Sequence, residues 1–175
     1  MGMQKNSCVL VDANFLVAYI DQKVSEEDKS RIEYFFSEIE KSKSKIIIPM
    51  PAFAEYLVGA ETAGIETLNK LEKKSYVSVE PFCKKAAFEC SLLDRSAINS
   101  NRRDKKDGVD EPWQKVKIDR QIIAIGKVHG VSLVISSDVG VKANATRVGL
   151  SVVEIAELPM PEEAKQISLG LDSQT

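Results

Sequence analysis

Three short runs constrain this chain more than anything else in it: "CVLV" at 8–11, "KIII" at 45–48 and "VSLVIS" at 131–136. They are dense in β-branched residues and largely lack the apolar–polar alternation of a strand with one wet face. Such runs need cover on both sides, which in practice means a parallel sheet sandwiched between helices. The intervening segments supply the helices. In "SEEDKSRIEYFFSEIEKS" the residues Ile32, Phe35, Phe36 and Ile39 fit a 3.6 period, Ser25 stands as an N-cap and acids fill the first turn. "ANFLVAYID" predicts a short helix, and "PAFAEYLVGA" another with Pro51 near its first turn. Gly64 is expected to separate the latter from "IETLNKLEKK".

The remainder continues the alternation. "YVSVE" predicts a third strand, and "FCKKAAFECSLLDRSAI" a long helix with Ala86, Cys90, Leu93 and Ala97 on one side. "NSNRRDKKDGVDEPWQKV", 99–116, reads as a charged loop. Then come a helix in "KIDRQIIAIGKVHG", the strand ending at Asp138, a helix in "VGVKANATRVG" and a last strand in "SVVEI". Strands that alternate with helices throughout imply an α/β domain with a mainly parallel sheet. The expected organisation is one domain over 1–158, carrying the 99–116 insertion, followed by a polar tail at 159–175.

Composition narrows the chemistry. The sequence is 43% hydrophobic and 29% charged, a globular balance. No apolar run approaches the ~20 residues of a membrane span, and "MGMQKNS" lacks the apolar centre of a secretion signal. A cytoplasmic protein with reduced thiols is expected, since its three cysteines form no spaced pairs. The one histidine, His129, rules out a His-rich zinc site and reads as a helix C-terminal cap partner. A net charge of −2 argues against holding nucleic acid by overall charge, while leaving room for a local basic patch.

In an open parallel sheet, ligands bind beyond the carboxyl ends of the strands. Asp12 and Asp138 end the two most apolar strands. Asp119 shares a helix face with Ile122, Ile123 and Gly126, and Glu55 is the only charge in "PMPAFAEYLVGA". Each acid has a plain alternative: Asp12 and Asp138 as helix caps, Asp119 as a first-turn acid, Glu55 as a residue of a solvated face. Against that stands the cost of desolvating carboxylates on apolar elements. Four such groups in one cleft would raise one another's pKa, and a hard divalent cation with oxygen ligands resolves the repulsion. Mg²⁺ or Mn²⁺ suits this donor set.

These residues carry a resemblance. "VLVDAN", "PAFAEYL", "KIDRQIIAIGKVHG" and "VISSD" follow in the order and at the intervals of PIN-domain nucleases, over residues 8 to about 155. The chain resembles that family, with VapC-like toxins of type II toxin–antitoxin pairs as its best-known branch. The resemblance implies a three-layer α/β/α domain with a five-stranded parallel sheet in the order 3-2-1-4-5. It implies a metal-dependent endoribonuclease in which Asp12, Glu55, Asp119 and Asp138 bind the metal, with Asn14 and Ser137 in support. It also implies an RNA substrate (tRNA, rRNA or mRNA), an antitoxin partner and a homodimer. Where the toxins often read D-x-D-F after the fourth strand, this chain reads "DVGV", with Gly140 in place of an acid and Val141 in place of an aromatic.

Outside the acids, "NRRDKK" offers Arg102, Arg103, Lys105 and Lys106, either as phosphate contacts or as a solvated loop. Trp113 suits base stacking or the anchoring of a loop. The main rival reading is a catalytically inactive PIN-fold RNA-binding or scaffold protein. A phosphatase signature is missing, because "DANFL" lacks the second Asp of D-x-D-x-T, and no Walker lysine loop is present.

Overall fold

The computed structural model describes residues 4–21, 24–99, 105–106, 109–110 and 113–161. Five parallel strands form the central sheet: β1 (Cys8–Val11), β2 (Lys45–Pro49), β3 (Val77–Glu80), β6 (Leu133–Ile135) and β7 (Ser151–Val153). Their spatial order is β3-β2-β1-β6-β7, which is 3-2-1-4-5 once the separate two-stranded β4 (Lys105–Lys106) and β5 (Val109–Asp110) are set aside. The helices are α1 (Ala13–Asp21), α2 (Glu26–Ser42), α3 (Met50–Gly59), α4 (Thr62–Glu72), α5 (Lys84–Asn99), α6 (Trp113–Val128) and α7 (Val139–Arg147).

The apolar strands divide their side chains between two cores. Val9, Val11, Ile46 and Ile48 face a core built with Phe15 and Leu16 of α1, Ile32, Phe35 and Ile39 of α2, and Leu68 and Leu71 of α4. Leu10, Ile47 and Val134 face the opposite core, with Ala86 and Leu93 of α5, Ile122, Ile123 and Ile125 of α6, and Val141 and Ala145 of α7. Strands apolar on both faces therefore have cover on both faces. The register pairs Val9 with Ile46 on one side and with Leu133 on the other. This places β1 and β6 side by side where the chain's direction of winding reverses.

Local signals act as their chemistry dictates. The Ser25 hydroxyl accepts a hydrogen bond from the Asp28 amide at 3.1 Å and opens α2. Lys43, at φ 54°, closes it in the left-handed region. The buried Arg120 on α6 donates to Asp94 on α5 at 2.6 Å, a charged clasp between two packed helices. Gly126 lets α6 lie against β1, because a Cβ there would stand 2.7 Å from Leu10 Cδ1.

Two expectations about the elements need correction. Gly64 lies inside the first turn of α4; the break comes at Ala60 and Glu61, and Gly64 serves to admit the Tyr56 hydroxyl, which a Cβ would meet at 2.5 Å. The stretch 99–116 is not all loop: β4 and β5 pair antiparallel within it, and α6 begins at Trp113, a turn earlier than expected. The side chain of His129 faces Glu80, Nε2 to Oε2 at 3.3 Å. The three cysteines are unpaired and half-buried. Among the described residues no helix is long and apolar enough to cross a membrane.

Candidate active site

A cleft of about 840 Å³ opens at the carboxyl edge of the sheet, and Asp12, Glu55, Asp119 and Asp138 all line it. Four separate elements bring them there. Asp12 is the residue after β1 and is 3% exposed. Asp138 follows β6 and opens α7. Asp119 lies in the second turn of α6, 4% exposed, on the same buried face as Ile122 and Ile123. Glu55 projects from α3, which β2 delivers to the edge. The apolar sequence around Glu55 predicts a buried helix, but only Ala52 and Tyr56 of α3 are buried. Val58 is 90% exposed, and with Met50, Phe82 and Ile118 it forms an apolar wall beside the acids.

Two of the acids cap helices while they line the cleft. The Asp12 carboxylate accepts from the Phe15 amide at 3.0 Å and so caps α1. Asp138 Oδ1 accepts from the amides of Gly140 and Val141 at 2.7 and 3.0 Å and caps α7. Capping fixes each carboxylate against the backbone while one edge still faces the cleft.

Their electrostatics diverge. Burial pushes the Asp12 carboxyl up to about 6; the Ser136 hydroxyl and Phe15 amide pull it down, and the charges of Asp138 and Glu55 add to the rise. Burial acts the same way on Asp138, but the Val141 amide, the Lys115 ammonium and the Gly140 amide outweigh it and hold the group below the ordinary carboxylate range.

The supporting hydroxyl is not the expected one. Ser136, 2% exposed, donates to Asp12 Oδ2 and accepts from the Asp138 amide at 3.0 Å. Ser137 lines a smaller recess of about 190 Å³ instead. Neighbouring residues of an extended segment point to opposite sides, so a one-residue difference reverses the role. Asn14 lines both the cleft and the recess.

Lys115 is the residue that sequence reasoning missed. Its Nζ lies 3.0 Å from Asp138 Oδ2, inside the cleft lining. The available signal was its place four residues before Asp119, one helical turn away on the same side. Gly140 also matters more than as a missing acid. A Cβ at that position would lie 2.0 Å from Asp119 Oδ2 and 3.2 Å from Asp138 Oδ1, so the two carboxylates close around a bare Cα.

The basic insertion gives less. Arg102 and Arg103 lie outside the described residues, and of Lys105 and Lys106 only the backbone of β4 is described. Trp113 is the first residue of α6.

The donor chemistry fits a hard divalent cation: oxygens only, partly desolvated, mutually repulsive. The positions do not yet close on one. Among the described residues no three acid, histidine or cysteine side chains stand together as a ready ligand set.

No family model matches the sequence, and no curated protein matches it. Solved structures do match by shape. The VapBC2 complex of Rickettsia felis, bound to a DNA fragment from its promoter, is similar over 84% of this chain and 98% of that one, with TM-score 0.53 and 14% identity. VapC20 of Mycobacterium tuberculosis, a toxin that cleaves the sarcin–ricin loop, covers 86% and 99%, with TM-score 0.51 and 13% identity. Tyrosyl-tRNA synthetase of Leishmania major also matches, over 98% of this chain and 34% of that one, with TM-score 0.55 and 18% identity. At these identities the likeness speaks for architecture. The sheet order and the near-complete cover of the VapC chains agree with the sequence resemblance: the chain has the PIN-domain fold of the VapC toxins.

Proposed function

We propose that this protein is a metal-dependent endoribonuclease that hydrolyses RNA phosphodiester bonds. The observation that carries the reading is that Asp12, Glu55, Asp119 and Asp138, from four separate elements, line one cleft at the reversal point of a parallel sheet. Two of the four, Asp12 and Asp119, are buried, and carboxylates gathered at that edge fit a cation site.

Asp12, Asp119 and Asp138 would hold Mg²⁺ or Mn²⁺, with Glu55 holding a second ion or orienting the attacking water. When bound, the cation supplies an activated water and offsets charge on the phosphate oxygens. The chain's own residues do the rest. Ser136 orients Asp12 through its hydroxyl and fixes Asp138 through its amide contact. Gly140 keeps Asp119 and Asp138 in the same small space. The apolar wall of Met50, Val58, Phe82 and Ile118 offers a surface on which a base can lie beside the acids. Lys105 and Lys106, with Arg102 and Arg103, are proposed as phosphate contacts.

A toxin role with an antitoxin-type protein partner is proposed by analogy with the VapC-like fold, and a homodimer by analogy with PIN-domain toxins. Both are tested by the oligomeric state of the purified chain and by what co-purifies from its own cell.

One observation favours a second reading, an inactive RNA-binding or scaffold protein: among the described residues no ready three-ligand set stands together. A single assay separates the two. Purified protein is incubated with tRNA, rRNA fragments and single-stranded DNA in Mg²⁺, Mn²⁺ or EDTA, beside Asp12→Asn. Discrete RNA products lost in EDTA and in the variant support the nuclease. No cleavage together with no cation-dependent stabilisation supports the scaffold.

A further inference from the structure

Asp138 presents two oxygens, and they are committed differently. Oδ1 accepts from two backbone amides and holds the start of α7. Oδ2 faces the cleft and meets Lys115 Nζ at 3.0 Å. A cation approaching Asp138 therefore meets the oxygen that the ammonium already holds. Asp12 beside it carries its own two hydrogen bonds, from Phe15 and Ser136, and feels the charges of Asp138 and Glu55. Lys115 is the basic side chain among the described residues that line the cleft, and it neutralises part of that charge.

We infer that Lys115 is a built-in counter-ion that a divalent cation must displace from Asp138, so that this lysine sets the cation affinity of the cleft. The inference rests on the reading of the cleft as a cation site. It accounts for the lack of a ready three-ligand arrangement among the described residues, because the ammonium holds the Asp138 oxygen that a cation would need. The choice of lysine fits the task. Its side chain is 47% exposed, so the pair is weak and the flexible stem swings out readily. An arginine would grip a carboxylate with a two-pronged fork and exchange less easily.

The test uses the whole chain stripped with EDTA and titrated with Mn²⁺ alone, by calorimetry and by thermal shift. Wild type is compared with Lys115→Met, and with Lys115→Gln as a polar neutral replacement in case the first fails to fold. Removing the positive charge should tighten Mn²⁺ binding roughly tenfold, the scale of one unit charge at a partly screened site. The same variants should melt lower than wild type in EDTA, and saturating Mn²⁺ should close that gap. A lysine that merely braced α6 would weaken binding on removal. If wild type binds Mn²⁺ and both variants bind it equally or more weakly, the exchange is overturned while the cation site stands. If neither wild type nor the variants bind Mn²⁺, the cation site falls and the exchange falls with it.

Discussion

Asp12 and Asp138 occupy equivalent places, yet the fold treats them in opposite ways. They follow neighbouring parallel strands, cap the helices that come next and line the same cleft. Asp12 is sealed in and driven up to about 6. Asp138 keeps 22% of its side-chain surface open, faces Lys115 and is driven down. A strand end fixes where a carboxylate stands; its neighbours fix which protonation state it favours. One buried acid that resists ionisation beside one that welcomes it is the kind of split that sites of proton and phosphoryl chemistry exploit.

The largest expected effect treats the pair alike. Asp12→Asn and Asp138→Asn should each lower RNA cleavage by at least about 10²-fold, the scale of losing one preorganised charge at a reacting phosphate. Circular dichroism should show both variants folded. Full activity in either would break the equivalence on the functional side.

Gly140 tests the third acid that joins them. Gly140→Ala puts a methyl where Asp119 Oδ2 lies 2.0 Å away, so the carboxylate must turn aside. Activity should fall roughly 10-fold or more, because displacements of about 1 Å in a site carry costs of that order. A fully active Gly140→Ala protein would mean that Asp119 is not held where the chemistry happens.

Stability should separate the pair. A carboxyl raised from 3.8 to about 6 keeps its proton in the folded state at pH values where the unfolded chain has lost it. Its contribution is therefore full below pH 4 and disappears as the pH rises through 6, on the order of 2–3 kcal/mol. Asp12→Asn should stabilise the EDTA-stripped protein at pH 7 and flatten that fall. Asp138 behaves inversely: its contribution is present above the ordinary aspartate range and is lost as the pH drops through its lowered value. Asp138→Ala also removes the α7 cap and should cost about 1 kcal/mol. Urea unfolding followed from about pH 2 to pH 8 reads all three, and the same sign of change in both variants would break the contrast.

Much of this was legible because it rests on short-range chemistry. Unalternating β-branched runs dictated a sheet covered on both faces, and Ser25 with its following acids dictated where α2 begins. Asp12 and Asp138 were legible as strand ends. What stayed hidden depends on how elements meet. The apolar face of α3 looked like core, but it forms the open wall of a cleft, and nothing local distinguishes the two. Lys115 was hidden by a charged stretch that reads as loop, although α6 already begins at Trp113, directly after Pro112. The pairing of Asp119 with Gly140 joins two helices and has no trace in sequence spacing.

The smallest expected effect concerns the two adjacent serines. The Ser136 hydroxyl lowers the Asp12 pKa and accepts from the Asp138 amide, so it touches both members of the pair. Ser136→Ala removes that brake and should move Asp12 further up. The pH at which cleavage rises should then shift upward by up to about one unit, since a shift of that size is worth roughly one hydrogen bond to a charged group. Ser137→Ala, facing the separate recess, should leave the profile in place. The sharpest reading comes from combining Ser136→Ala with Asp12→Asn in a urea-unfolding cycle on the EDTA-stripped protein. If Ser136 acts through Asp12, its effect on the pH dependence of stability vanishes once that carboxyl is an amide, while any packing loss remains. An upward shift produced equally by Ser137→Ala would show that the strand end, and not one hydroxyl, governs the difference between the two acids.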